Sequence, residues 1–271
     1  MALARAAKQE RGTLIVAMVD NYLRYMPKQL VGALFFRLNL RPLFDYMWVP
    51  GKRSATFMRF LGMPRNRVLT GLYSADHELF YPPEQEASRN GVVFVGQFIG
   101  RKGVDAILDA NIRSPKIVEE CDLRLFGHGP LTAKLLAAGL RVEPFAQPRE
   151  LGEIYRKASA LLLPSKLDHW GVVLHEAAAC GCFLLATRQC AGVDDLIKHG
   201  VNGFIMRASN PSEISRSLAW LKSRTAEELT RGRSVSIALA AKISPALWAH
   251  KLAQILPPET RSANGNGRVH P

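Results

Sequence analysis

From residue 91 onward the chain alternates short apolar runs with amphipathic ones, and no other feature narrows its fold so far. The apolar runs are VVFVGQF (92–98), LRLFG (123–127), VEPF (142–145), ALLLPS (160–165), FLLAT (183–187) and GFIM (203–206). Helical periodicity fills 104–111, 131–138, 148–157, 172–180, 193–199 and 211–221. Short β runs that are apolar on both faces, each followed by one helix, predict a parallel sheet covered on both sides, the doubly wound α/β arrangement. Ligands of such sheets bind beyond the carboxyl ends of the strands, which points to the loops after Val95, Phe126, Phe145, Leu163 and Ala186.

Residues 1–90 hold less: a strand over 13–19, a basic amphipathic stretch over 28–45, a strand-like piece over 46–50 and a helix near 54–61. That is part of a second Rossmann-like domain. PPEQEASRNG (82–91), with two prolines, charges and a glycine, reads as a linker. The expected division is therefore a partial N-terminal domain (1–85), a complete C-terminal domain (86–256) and a polar, Pro- and Gly-rich tail (257–271) expected to be disordered.

Apolar residues make up 48% of the 271 and charged residues 22%, the balance of an ordinary globular protein. The longest uncharged apolar stretch, Ala177 to Ala186, falls far short of the roughly 18 to 20 residues that cross a bilayer. MALARAAKQERG followed by LIVAMV lacks a small-residue cleavage site, so no secretory leader is expected. Cys121, Cys180, Cys182 and Cys190 fit buried reduced thiols, and a cytoplasmic protein follows. Lys and Arg (36) exceed Asp and Glu (23), a net charge of +13 that attracts phosphorylated ligands, nucleic acid or anionic lipid. With no recognition helix or aromatic platform, nucleic acid is not an expected partner. KQLVGALFFRLNLRPLF (28–44) sets Lys28, Arg37 and Arg41 among Leu and Phe. It reads either as a surface lying peripherally on the inner membrane face or as a core helix.

Three glycine-marked turns follow strands in order: Gly96 to Gly103 (GQFIGRKG), Phe126 to Pro130 (FGHGP) and Pro164 to Gly171 (PSKLDHWG). Glycine lets backbone N–H groups approach a ligand, and a helix opening just after such a turn offers unpaired donors to an anion. Phosphate is the natural guest. Arg101 and Lys102 add charge at the first turn, whereas a carboxylate at Glu176 suits ribose hydroxyls beside a bound nucleotide. Taken singly, these are ordinary turn glycines, a surface lysine and a loop or N-cap carboxylate; their joint order favours a site. No Asp-x-Asp occurs, so no metal or other cofactor is expected.

VFVGQFIGRKGVD, LRLFGHGP and LLLPSKLDHWGVVLHEAAACGCFLLAT, followed by AGVDDLIKHGVNGFIM, resemble the donor-binding half of group 1 (family 4) glycosyltransferases, retaining enzymes of the GT-B fold. The resemblance runs from about Leu61 to Leu256. It implies that Lys102 neutralises the donor diphosphate, that amides around Gly171, Val172 and Val173 hold the distal phosphate, and that Asp168 and Glu176 face the sugar and the ribose. It also draws Gly96, Gln97, Arg101, Gly127, His128, Gly129 and Trp170 into donor contact, with Phe145 and Gln147 over the base. The implied reaction moves a sugar from a nucleoside diphosphate sugar to a glycan or lipid-linked acceptor with retention, commonly in polysaccharide or glycolipid assembly. Two departures stand out: Gln97 replaces the family's usual arginine, and Asp168 its usual glutamate. Together with the short N-terminal part, Gln97 keeps open a non-catalytic or truncated nucleotide-sugar-binding module.

Overall fold

The computed structural model describes residues 6, 13–24, 27–84 and 88–256. The expected tail, 257–271, lies outside the described residues, as does part of the expected linker, 85–87. Contacts divide the chain into two units, one of residues 1–73 with 245–271 and one of residues 74–244.

The second unit carries a six-stranded sheet built from β4 (Val92–Val95), β5 (Leu123–Phe126), β6 (Arg141–Glu143), β7 (Ala160–Leu163), β8 (Phe183–Thr187) and β9 (Gly203–Met206). Its order is β6-β5-β4-β7-β8-β9, and every pairing is parallel. Every residue of β4, β7 and β8 is buried, as sheets covered by helices on both faces require. The chain runs outward from β4 to β5 and β6, then returns to place β7 on the other side of β4. That reversal is the topological switch point where ligands of open α/β sheets bind.

The covering helices are α3 (Val104–Arg113), α4 (Pro115–Glu120), α5 (Thr132–Ala137), α6 (Pro148–Lys157), α7 (Val172–Ala179), α8 (Val193–Leu196), α9 (Pro211–Lys222) and α10 (Ala226–Ala240). Phe94, Phe98, Ile107, Leu125, Leu162 and Phe183 anchor one core between sheet and helices, and all four cysteines are buried. Six strands and six helices stand where the alternation predicts them. Two helices, α4 and α10, go beyond that expectation. Ser114-Pro115 opens α4 with proline in its first turn, where the missing N–H costs nothing. Thr225 and Glu228 form a reciprocal capping box at the start of α10.

The first unit holds a three-stranded parallel sheet, β1 (Val16–Met18), β2 (Tyr46–Val49) and β3 (Val68–Thr70), in that order. Helix α1 (Pro27–Phe35) continues through a wide turn at Phe36–Leu40 and a tight one at Arg41–Leu43, and α2 (Lys52–Phe60) packs on the sheet with Phe57 and Met58 buried. The last helix, α11 (Pro245–Ile255), belongs here too: Trp248 stacks on Trp48 at 4.5 Å and Lys251 Nζ donates to the Thr70 carbonyl at 2.6 Å. Contacts thus divide the chain after residue 73 and group Pro245–Ile255 with the first unit, whereas the sequence reading set its divisions after 85 and 256. The stretch 28–44 divides between its two readings: Ala33 is the one buried residue of α1, and Phe36 and Phe44 pack against the core of this unit, while the remaining large apolar side chains of α1 are exposed. Among the described residues, no helix is long and apolar enough to cross a membrane.

Candidate functional site

Beyond the carboxyl ends of β4, β5 and β6, a cavity of about 340 Å³ is lined by Gly96, Gln97, Gly127, His128, Phe145 and Ala146 from the strand-end loops and by Val173 and Glu176 of α7. Phe80, Val95, Pro148 and Leu151 complete an apolar wall. The His128 ring meets Phe145 edge to face, centroids 6.4 Å apart, and Phe145 is exposed at the mouth. Two glycines let these loops meet. A Cβ on Gly127, whose φ is +143°, would lie 2.1 Å from the Gly96 carbonyl oxygen. Gly103 sits at φ +76° in the left-handed region, and a Cβ there would lie 2.0 Å from the Pro164 carbonyl oxygen.

The contact at Gly103 brings the loop after β4 against the loop after β7. Lys166 N–H donates to the Arg101 carbonyl at 2.8 Å, and Arg101 Nη1 donates to the Leu167 carbonyl at 3.2 Å. The same junction sets Lys102 Nζ 2.6 Å from Asp168 Oδ2. The Asp168 backbone is held in turn, its N–H donating to the Gln189 carbonyl and its carbonyl accepting from Ala191. An ammonium and a carboxylate expected to contact a donor separately are therefore hydrogen-bonded to each other.

Glu176 lies one turn into α7. Burial pushes its carboxyl up to about 7, and its Oε2 is buried with no hydrogen-bond partner among the described residues. An acid so placed invites hydroxyl donors. Close to it, the buried Tyr155 hydroxyl also lacks a partner, and burial followed by the Glu176 charge raises it well above the ordinary phenol value. Gly171, at φ +77°, turns the chain into α7 and leaves Val172 and Val173 as its first residues.

Sequence reasoning named seven of the cavity's lining residues: Gly96, Gln97, Gly127, His128, Phe145, Val173 and Glu176. Arg101, Lys102, Asp168, Gly129, Gly171 and Val172 lie on the same loops or helix opening but do not line it, and Gln147 stands exposed just before α6. Trp170 is buried, and its carbonyl accepts from Gly192 N–H and Cys190 Sγ, so it braces the turn before α7. Phe80, Ala146, Pro148 and Leu151 were outside the expected set, as was His175. Nδ1 of this fully buried imidazole accepts from Ala75 N–H at 2.9 Å, which leaves Nε2–H to donate to the Ala240 carbonyl at 3.0 Å. Burial lowers it to about 4. Among the described residues, no group of three or more His, Cys, Asp or Glu side chains converges on a metal position.

Residues 79–232 match the family model described as glycosyl transferases group 1. The chain belongs to the group 1 glycosyltransferases. It is 27% identical over 163 residues to an uncharacterised glycosyltransferase of Methanocaldococcus jannaschii, a match covering 57% of this chain and 43% of that protein. It is 30% identical over 185 residues to the D-inositol 3-phosphate glycosyltransferase of Thermobispora bispora, covering 58% and 43%. The chain thus spans less than half the length of these relatives. Among solved structures, the Anabaena protein HepE in complex with UDP superposes with a TM-score of 0.74 at 17% identity, covering 96% of this chain and 75% of that one. Sucrose-phosphate synthase of Thermosynechococcus elongatus gives 0.68 at 17% identity, covering 94% and 70%. The α/β fold of this group 1 glycosyltransferase is accordingly of the GT-B kind.

Proposed function

We propose that the chain binds a nucleoside diphosphate sugar beyond the β4, β5 and β6 ends and, as a family 4 enzyme, transfers the sugar to a glycan or lipid-linked hydroxyl with retention of configuration. The observation that carries this reading is the meeting of four strand-end segments around one cavity, with Glu176 unpartnered inside it and Lys102 and Asp168 joined on the adjoining loops. The base lies against Phe145 and the apolar wall. Ribose hydroxyls donate to Glu176. The diphosphate is met by Lys102, Arg101 and the first amides of α7, whose dipole favours an anion. Asp168 orients the sugar.

In the transfer step the bond between the anomeric carbon and the phosphate oxygen breaks, and the acceptor oxygen bonds that carbon on the same face. The acceptor proton passes to the departing phosphate oxygen. Negative charge grows on the diphosphate as it leaves, so Lys102 and the α7 amides stabilise the transition state more than the ground state. UDP in the HepE and pneumococcal GtfA structures supports a uridine donor as the first to try.

Gln97 favours a second reading, a module that binds a nucleotide sugar without transferring it. A melting-temperature screen with UDP, GDP and their sugars, followed by a donor-hydrolysis assay, separates the two. Stabilisation with hydrolysis supports the enzyme, stabilisation alone supports the binding module, and no stabilisation removes both.

A further inference from the structure

The first unit is lopsided in charge and in polarity. Between Asp20 and Asp76 the sequence carries nine Lys and Arg residues against one carboxylate, Asp45. Asp45 is already engaged, its Oδ2 accepting the Ile15 N–H at 3.0 Å. Along α1 and the turn that continues it, Leu30, Val31, Leu34, Phe35 and Leu38 are each between 57% and 74% exposed. At about 100° per residue these five side chains fall within an arc of about 140°. Single exposed apolar residues are normal on any surface, but five large ones on one helical face mark an interaction site. Lys28 precedes the arc in sequence, Arg37 falls between its last two residues and Arg41 follows it. Arg41 also lines a cavity of about 290 Å³ with Phe44, Asp45 and Arg67.

We propose that this face docks on an anionic phospholipid bilayer. The apolar arc enters the boundary between headgroups and acyl chains, while Lys28, Arg41 and Arg67 take lipid phosphodiesters around it. Charge chooses the partner. A second copy of the same face would bring cations against cations, and a nucleic acid backbone would leave the apolar centre of the patch without a counterpart. An anionic bilayer matches both halves, since cations near such a surface and buried apolar area each add to binding. Nothing in this surface depends on the donor cavity of the second unit, so lipid binding and nucleotide binding succeed or fail separately.

Flotation of the full chain with phosphatidylcholine vesicles, with and without a quarter of phosphatidylglycerol, tests the proposal. The expected result is co-flotation with the anionic vesicles and little with the neutral ones. The double variant Leu34→Asp with Phe35→Asp should lower partitioning by about tenfold or more. Lys28→Glu with Arg41→Glu, confined to exposed side chains, should do so by a similar factor and keeps the test alive should the first variant melt early. Equal binding to neutral vesicles, no binding to either, or wild-type partitioning by folded variants would overturn the proposal. So would retention on DNA, or a dimer lost on Leu34→Asp, in a chain that leaves the vesicles unbound.

Discussion

Lys102 and Asp168 form an ion pair of 2.6 Å across the point where the sheet reverses direction, one residue from the loop after β4 and the other from the loop after β7. Both side chains are largely covered, at 19% and 12% exposure. In a partly covered position the pair is held more firmly than an exposed one, and removing one member leaves the other's charge uncompensated. Asp168 thereby holds the Lys102 ammonium at the junction of the two loops, which in the proposed reading is the preorganisation that electrostatic stabilisation of a leaving diphosphate needs.

Lys102→Ala is expected to lower transferase or donor-hydrolysis turnover by about 10²- to 10³-fold. Asp168→Asn, which keeps a hydrogen-bond acceptor, is expected to lower it less. Steady-state kinetics on both variants and the double variant check this. Because Asp168 both holds Lys102 and, in the proposed reading, orients the sugar, the double variant should fall below Lys102→Ala by less than the two single losses combined. Strictly additive losses would separate the two roles.

The proposed contact of Glu176 with the ribose predicts pH-dependent donor binding. In the empty site its carboxyl sits at about 7 through burial. Ribose hydroxyls favour the ionised form, so nucleotide affinity should rise as pH climbs through 7 and level off above it. Glu176→Gln should flatten that rise and weaken binding at alkaline pH. Calorimetric titrations with UDP across this range give the profile, and an unchanged slope in the variant would detach Glu176 from the ribose.

The neighbouring pair His175 and Glu176 pull stability in opposite directions. The His175 imidazole, held at about 4 against an ordinary 6.5, takes up a proton more readily when unfolded. Its contribution is present above about 6.5 and is lost as pH falls towards 4. The Glu176 carboxyl, raised from 4.5 to about 7, contributes stability below about 4.5 that is lost as pH rises through 7. Each is worth on the order of 3 kcal/mol at its limit, and the two offset between about 4.5 and 6.5. Denaturant unfolding of Glu176→Gln should therefore show stability climbing more steeply from pH 4.5 to 6.5 than in the wild type. A parallel pair of curves would contradict it.

Gly103→Ala places a methyl group 2.0 Å from the Pro164 carbonyl oxygen at a positive φ. The two loops must separate, so the variant should lose about 2 kcal/mol or more of stability. Its nucleotide affinity should also fall, because the same contact aligns Lys102 with Asp168. Wild-type affinity in a destabilised but folded variant would uncouple that alignment from binding.

Much of the second unit was legible because its signals are local. The runs at 160–163 and 183–187 are apolar at every position, and both are strands buried along their whole length. Gly96 and Gly127 follow their strands and line one cavity, and Gly171 turns the chain into the helix that carries Val173 and Glu176 to it. What escaped is long-range. Lys102 and Asp168 are 66 residues apart, and His175 meets partners 100 and 65 residues away, so no local pattern announces either arrangement. Phe80 and Leu151 join the cavity wall by tertiary packing alone. Trp170, expected in donor contact, turns inward because a large ring gains more from burial than from the loop surface. At the other end of the chain, basic and apolar residues mixed along 28–44 are compatible in one dimension with a core helix and with a membrane-facing surface. Only packing tells which side chains of the stretch turn inward: Ala33, Phe36 and Phe44 do, whereas Leu30, Val31, Leu34, Phe35 and Leu38 stay exposed.

Isothermal titration of the full chain with UDP, run beside Glu176→Gln and Lys102→Ala, tests most directly that one cavity receives a nucleoside diphosphate. The expected result is a single saturable site per chain, weakened in both variants, with the Glu176→Gln loss persisting when uridine replaces UDP and the Lys102→Ala loss disappearing. Binding that both variants leave intact, or no binding of UDP, GDP or their sugars to the wild type, would contradict it.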